Sequence, residues 1–594
     1  MRVYVVVALI LNVLSPCLAQ VSLPNPPWLP PNASFGAAPS LGGYPNQHWT
    51  SLLGDLLYFY EAQRSGKLPN TNRVSWRNSS ALDDGKDVGL DLTGGYYDAG
   101  DYIKATFPLS FTLMSICWGA TDFGKGYDLA NQTAYLDDML RWGLDWLIKA
   151  GNQAHPNDNT LYVLVDAPAQ DDDYWGGDID IPLPRTSFQI NATHPGTDVA
   201  AGTAAAFAAC SNLYRNKGFN NTLSGPAALT NDTYADVLLN HAKSLYSFAL
   251  NPNGGRLVYQ KSVPVIAENY GSSGYGDDLA IAALFLAWAT DSQDLHDQAV
   301  SYWTKYQVGS SGRVFNWDSK GPGIPILFTQ VLKTSNSITG NLSNWQTAAE
   351  MYFDGIVEDN GSGRMTRGGL LYYNGDSDEA SLNPALNAAM LLARYAPYAS
   401  STDKQSAYLQ FAQSQVDYVL GNNTMSVPYV VGVNPNSPSN PHSAMASGGN
   451  DINAIDTNPV NTTYVLYGAV VGGPDVNDNF FDIRSDWPQT EVALDYNAPL
   501  LTLAAYSVMQ TTVDPFYTSL KDGAYEKVKP KGQPCDAAID QGCPPPRLSP
   551  GARVAMALGI TIVGVILIGL AVYWYLLGQR YKNSKEQKNP KNTY

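Results

Sequence analysis

The chain has 594 residues, 44% of them hydrophobic and 15% charged, with a formal net charge of −17. That composition supports a large folded core and excludes a disordered chain. An acidic excess of this size repels nucleic acid and does nothing to attract anionic ligands, so a neutral partner is expected.

Residues 1–19 combine Arg2, an apolar run from Val3 to Leu14 and the stretch Ser15-Pro-Cys-Leu-Ala19. This is the three-part pattern of a cleavable secretory signal. Residues 20–43 are rich in Pro, Ser and Gly and predict an extended lead-in. From 44 to 512, apolar residues recur at helical spacing between long loops of Gly, Asn, Asp and Pro, and strand alternation is scarce. Clear helices are predicted over 48–64, 135–150, 198–214, 234–250, 277–289, 381–395, 405–420 and 497–509. Weaker candidates raise the expectation to about a dozen helices, an all-α domain. Several are crowded with Ala, as in Asp198-Val-Ala-Ala-Gly-Thr-Ala-Ala-Ala-Phe-Ala-Ala, which allows close contact on more than one face. Such helices suit an inner ring enclosed by an outer one, with the long loops at the rim.

Residues 513–553, with Lys-Pro-Lys-Gly-Gln-Pro and Cys-Pro-Pro-Pro-Arg, predict a stalk. An uncharged apolar stretch over 554–577 is long enough to cross the ~30 Å hydrocarbon core of a bilayer as a helix. The tail at 578–594 holds Arg580, Lys582, Lys585, Lys588 and Lys591, which predicts a cytoplasmic tail and an outward-facing large domain at the plasma membrane. Asn32, Asn78, Asn131, Asn191, Asn220, Asn231, Asn341, Asn360, Asn422 and Asn461 head glycosylation sequons, as expected of an ectodomain. Cysteine is sparse: Cys117 and Cys210 fall in apolar helical contexts, and the close pair Cys535 and Cys543 is able to close a small loop beside the membrane. No Cys and His spacing resembles a zinc site, and a monomer is expected.

Two acidic motifs stand at opposite ends of the large domain. Gly94-Gly-Tyr-Tyr97-Asp98-Ala-Gly-Asp101 sets two acids three residues apart on a Gly-rich backbone, where they are able to hold and deprotonate a water. An isolated Asp-Ala-Gly-Asp is more often a turn capping a helix. Residues Gly472 to Glu491 pack five acids into a turn-rich loop ahead of a helix. Glu491 lies among apolar neighbours, where desolvation favours the protonated form that a general acid needs; alone it reads equally as a helix N-terminal acid. The 37 Tyr and 13 Trp residues suit carbohydrate, whose C–H faces stack on rings, although an aromatic core explains them as well.

These motifs, in this order, resemble glycoside hydrolase family 9, the inverting endoglucanases with an (α/α)6 barrel. The resemblance runs from about Tyr44 to Tyr506. It rests on Arg73-Val-Ser-Trp-Arg77, Gly94 to Asp101, Phe107-Pro-Leu-Ser-Phe111, Pro195-Gly-Thr-Asp198, Tyr429-Val-Val-Gly432 with Pro441-His442, and the stretch from Gly472-Gly-Pro-Asp475 to Glu491-Val-Ala-Leu-Asp495-Tyr496-Asn497. It implies Asp101 as general base, Asp98 as its partner in holding the nucleophilic water, and Glu491 as general acid. It also implies that Tyr97, Trp175, His442 and Tyr496 meet the sugar, with Trp175 as a stacking platform, although a core Trp explains that residue as well. Ser273-Gly274-Tyr-Gly-Asp277-Asp278 resembles the family's calcium-binding stretch, so structural Ca2+ is expected on Ser273, Gly274, Asp277 and Asp278, with Asp318 as a further ligand. The chain departs from the family at His442-Ser443-Ala444 and at Glu379-Ala-Ser-Leu-Asn383-Pro384, where cationic or aromatic side chains are usual. The expected activity is endo-cleavage of β-1,4-glucan. Mixed-linkage or other wall β-glucan as substrate, or a weakly catalytic glucan-binding surface protein, are the rival readings.

Overall fold

The computed structural model describes residues 20–151, 159–219, 225–311, 313–541, 543 and 550–588. The expected signal segment, residues 542 and 544–549 of the expected stalk, the tail beyond 588 and the Asn220 sequon lie outside these.

Among the described residues, twelve helices of eleven residues or more succeed one another between 47 and 510. They are α1 (Gln47–Ala62), α2 (Thr106–Asp122), α3 (Thr133–Ala150), α4 (Thr197–Tyr214), α5 (Asp232–Leu250), α6 (Gly276–Thr290), α7 (Gln293–Lys305), α8 (Ile324–Thr334), α9 (Leu342–Val357), α10 (Leu382–Tyr395), α11 (Thr402–Val419) and α12 (Leu494–Gln510). The even-numbered helices touch in a closed ring, from α2 through α4, α6, α8, α10 and α12 back to α2. Each odd-numbered helix packs against one of them: α1 on α12, α3 on α2, α5 on α4, α7 on α6, α9 on α8 and α11 on α10. This is an (α/α)6 barrel.

Sequence separates the two layers. Every residue of α2, α4 and α10 is buried, so these helices carry apolar or small side chains all round. The outer α11 buries one face only, through Tyr408, Ala412, Gln415, Val416, Tyr418 and Val419. Side chains of Asn46, Asn231, Ser292, Asn341 and Ser401 cap the amino ends of α1, α5, α7, α9 and α11. None of the six inner helices has a side-chain cap. The long loops that precede them run at one rim of the ring, where the acidic motifs sit.

The inner ring is braced covalently: Cys117 of α2 and Cys210 of α4 form a disulfide with Cα atoms 5.0 Å apart. Arg394 of α10 pairs with Asp122 of α2 at 2.6 Å, fully buried. Strands β1 (Lys104–Ala105), β2 (Thr160–Val165) and β3 (Ser187–Asn191) form a small antiparallel sheet, and β4 (Arg364–Met365) pairs with β5 (Leu371–Tyr372). The loop joining β2 to β3 carries Asp171, Asp172 and Trp175 to the rim.

Residues 540–594 group apart from residues 1–539. Helix α13 runs from Pro550 to Lys588, longer than the apolar stretch over 554–577 because its helical backbone continues through the basic residues. Its segment Leu558–Lys585 is long and apolar enough to cross a membrane and has no buried share. None of the nine sequon asparagines among the described residues is buried.

Candidate active site

Tight loops bring the two acidic motifs together. After α1 the chain passes Gly94 and Gly95, both at positive φ, and a side chain on Gly95 would meet the Trp146 ring at 2.5 Å. Asp98 N then donates to Ile103 O at 2.9 Å, and Leu494 N of α12 donates to Asp98 O at 3.0 Å. Gly100 is wedged against the second motif: a Cβ there would lie 2.3 Å from His442 O. Ala444 N donates to Gly100 O at 2.7 Å, and His442 N to Thr490 O at 2.9 Å. The backbone N–H of Gly100 donates to Glu491 Oε1 at 3.3 Å. His442 and Glu491 run side by side in a parallel bridge, with His442 Nδ1 2.7 Å from Arg484 O.

The result is a cavity of about 550 Å³ lined by Asp98, Asp101, Asp172, Glu268, Asn269, Tyr270, Trp317, Glu379, His442, Trp487, Glu491, Asp495 and Tyr496, with Ala99 and Ala493. Five of the seven predicted reacting and sugar-binding residues, Asp98, Asp101, Glu491, His442 and Tyr496, share it. The other two do not. Tyr97 is fully buried, bonded through its hydroxyl to Ser80 Oγ at 2.8 Å and flanked by the guanidinium groups of Arg77 and Arg185. Its neighbour Asp98 turns into the cavity and Tyr97 therefore turns into the core. Trp175 is buried beneath His442, ring centroids 4.9 Å apart, and supports that imidazole instead of offering a platform. Besides Tyr496, the aromatic residues that line the cavity are Trp317, Trp487 and Tyr270, which sequence reasoning missed. Trp317 and Trp487 were visible beside Asp318 and Pro488 but carried no periodic signal. A larger groove of about 790 Å³, between residues 20–23 and α3, contains none of the predicted residues.

Electrostatics separates the carboxyl groups. Burial pushes Glu491 well above the usual carboxylate range, and the nearby Asp101 pushes it further. Asp98 is raised well above that range by burial, then by Asp495 and Asp101. Asp101 is raised by burial but held back by its hydrogen bond with Asp171. Asp171, buried and raised well above the normal range by burial and by Asp101, holds the proton of that pair. Both Asp171 oxygens also lie near the backbone N–H of Tyr102, at 3.2 and 3.3 Å. Burial brings Asp495 to about 6 while Asn383 Nδ2 donates to its Oδ2 at 2.7 Å. Burial lowers His442, which keeps the imidazole neutral.

The expected calcium ligands divide. Ser273, Gly274, Asp277 and Asp318 line one pocket at the amino end of α6. Ser273 N donates to Asp318 Oδ1 and Lys320 N to Asp277 Oδ2, both at 2.7 Å, which leaves one oxygen of each carboxylate for a hard cation. Asp278 does not belong with them: it is fully buried and its Oδ1 is 2.7 Å from Lys320 Nζ. One helical step past Asp277 turns it inward. Among the described residues no three Asp, Glu, His or Cys side chains converge on a single metal position. The donor set that fits is two carboxylates completed by hydroxyl and backbone oxygens.

A twelve-helix double ring with facing acids in a rim cleft defines a glycoside hydrolase. The chain belongs to glycosyl hydrolase family 9, whose model matches residues 49–504. It is 37% identical over 481 residues to endoglucanase 13 of Arabidopsis thaliana, covering 77% of this chain and 92% of that protein. Among solved structures it is similar to the endoglucanase of the termite Nasutitermes takasagoensis, with 35% identity and a TM-score of 0.68 over 78% of this chain and 98% of that one. The cellulase Cel9M of C. cellulolyticum matches with 27% identity and a TM-score of 0.65, over 77% and 98% of the two chains.

Proposed function

We infer that the protein is an endo-β-1,4-glucanase that hydrolyses internal glucosidic bonds with inversion. The observation that carries this reading is the shared cavity in which Glu491, bonded to the Gly100 N–H, faces the Asp98 and Asp101 loop. Glu491 enters the reaction protonated and gives its proton to the glycosidic oxygen as the bond to the anomeric carbon breaks. Asp101, ionised because Asp171 holds the proton between them, takes a proton from the attacking water. Asp98 holds that water from its other side. Trp317, Trp487 and Tyr496 offer ring surface to the glucan, and neutral His442 donates or accepts one hydrogen bond. Water attacks from the face opposite the leaving oxygen, so the anomeric configuration inverts. Asp277, Asp318, Ser273 and Gly274 would hold a calcium ion that would fasten the loop before α6, which carries Glu268 and Tyr270.

The apolar helix α13 supports a single-pass anchor at the plasma membrane, with the barrel and its sequons outside and the basic residues inside. Full-length protein then fractionates with membranes and resists carbonate extraction, and truncation before about Pro550 yields an active soluble enzyme. For the activity itself, the test is hydroxyethylcellulose: an endo-acting enzyme lowers its viscosity sharply at the first few per cent of bond cleavage. Release of sugar with no early fall in viscosity contradicts endo-action.

A further inference from the structure

The cleft holds a charge pattern that hydrolysis of neutral glucan does not require. Seven carboxyl groups line it, those of Asp98, Asp101, Asp172, Glu268, Glu379, Glu491 and Asp495, and no Lys or Arg is among the lining residues. The mechanism uses three of them, and Asp495 is engaged by Asn383. Asp172, Glu268 and Glu379 remain, all exposed, on three separate segments: the β2–β3 loop, the loop before α6 and the loop before α10. The only titratable nitrogen in the lining is the imidazole of His442, which burial keeps neutral.

A cleft of one sign with low-dielectric walls concentrates ligands of the opposite sign and repels those of its own. Sugar hydroxyls accept as readily as they donate, but the three mouth carboxylates only accept. An ammonium group on the sugar satisfies them with charge-assisted bonds, and a uronate carboxyl meets repulsion. We propose that Asp172, Glu268 and Glu379 make this cleft select β-1,4-linked glycans by charge, taking amino-bearing chains such as oligoglucosamine ahead of neutral cello-oligosaccharides and rejecting acidic ones. The proposal rests on the reading of the cavity as a β-1,4-glycan-cleaving site and adds the substrate class.

The test compares chitopentaose, cellopentaose and a C6-oxidised cellopentaose at mildly acidic pH, where amines are protonated and Asp172, Glu268 and Glu379 are the intended partners. In low salt, kcat/KM for the amino pentamer exceeds that for cellopentaose by about tenfold, and the oxidised pentamer falls about tenfold below it. Raising the salt to about 0.5 M collapses both ratios toward one, because the mouth carboxylates are exposed and screened. The triple variant Asp172→Asn, Glu268→Gln, Glu379→Gln brings the ratios toward one at every salt concentration. Equal rates on all three pentamers in low salt, or ratios that survive in the triple variant, overturn the proposal while leaving glucan hydrolysis standing. Failure of the wild type to cut cellopentaose defeats the underlying activity instead. In that case calorimetric affinities for the same pentamers decide the charge selection, a tenfold tighter Kd for the amino pentamer supporting it and equal affinities refuting it.

Discussion

The backbone N–H of Gly100 donates to Glu491 Oε1 at 3.3 Å, so the acid at one end of the domain is tied to the loop that carries Asp98 and Asp101 at the other. Glycine is required at this junction, since any side chain would run into His442 O. The separation between protonated acid and ionised base is thus set by backbone, not by flexible side chains, and preorganisation of this kind keeps the catalytic geometry fixed before substrate arrives.

Loss of base and loss of acid have different signatures. Asp101→Asn lowers kcat on every β-glucoside by about 10²- to 10⁴-fold, because no other ionised group faces the water. Glu491→Gln causes a loss of that order on cello-oligosaccharides but spares substrates with a fluoride or dinitrophenolate leaving group, which need no proton. Equal losses of Glu491→Gln on both substrate types contradict the assignment of Glu491 as acid.

Asp171 positions and tunes Asp101 without touching substrate. Its protonated carboxyl donates to Asp101 and favours the ionised form, which is the direction a hydrogen bond to a charged group imposes. Asp171→Ala removes the donor, so the Asp101 pKa rises and the acid limb of the kcat/KM profile moves to higher pH. Asp171→Asn retains an N–H donor and restores the limb toward wild type. A pH profile unmoved in Asp171→Ala limits Asp171 to a packing role.

Much of this barrel is legible in the sequence. Predicted α1, α3, α4, α5, α6, α10, α11 and α12 agree with the structure within a few residues because each combines helical periodicity with a polar boundary. Helix α2 shows in the sequence only as the motif Phe107 to Phe111, because it lacks the Ala-rich pattern that marks the equally buried α4 and α10. Helices α7, α8 and α9 are shorter or more polar and left weak signals. The Cys117–Cys210 bridge spans 93 residues, a separation at which sequence gives no pairing. At the site, Asp98, Asp101 and Glu491 were legible through their motifs. The resemblance places Tyr97 and Trp175 on the sugar, but alternate residues of a tight loop point to opposite sides and both turn into the core. Asp171 and Asp172 were visible as part of an acidic run, and only the fold separates the buried one beside Asp101 from the exposed one at the mouth.

Stability falls as pH rises through a second buried carboxyl. Asp486 is fully buried, and burial together with Asp536 pushes it up to about 8. Its folded pKa is thus raised above the unfolded value near 3.8, so its contribution is fully present below about pH 4 and lost as pH climbs through about 8. Asp486→Asn, neutral at every pH, keeps the melting temperature at pH 9 several degrees above wild type while matching it near pH 4. Parallel Tm curves for the two proteins across that range refute the assignment.

Metal removal separates Asp318 from Asp278. Exhaustive chelation lowers the wild-type Tm by a few degrees and added calcium restores it, because a ligand bound only to the native state stabilises by mass action. Asp318→Asn abolishes that response. Asp278→Asn lowers the Tm by leaving Lys320 buried without its partner, yet its response to calcium persists. A wild-type Tm indifferent to chelation, with no calcium by elemental analysis, removes the site.

The central claim is that Glu491 and Asp101 act from opposite faces of the scissile sugar, at a carboxyl separation of about 6.5 to 9.5 Å that leaves room for a water. Proton NMR of a cello-oligosaccharide digest, recorded before mutarotation, tests it most directly. The α-anomer is the first product if Asp101 activates water on the face away from Glu491. A β-anomer formed first contradicts the account, since it requires a covalent glycosyl intermediate and two carboxyl groups much closer together.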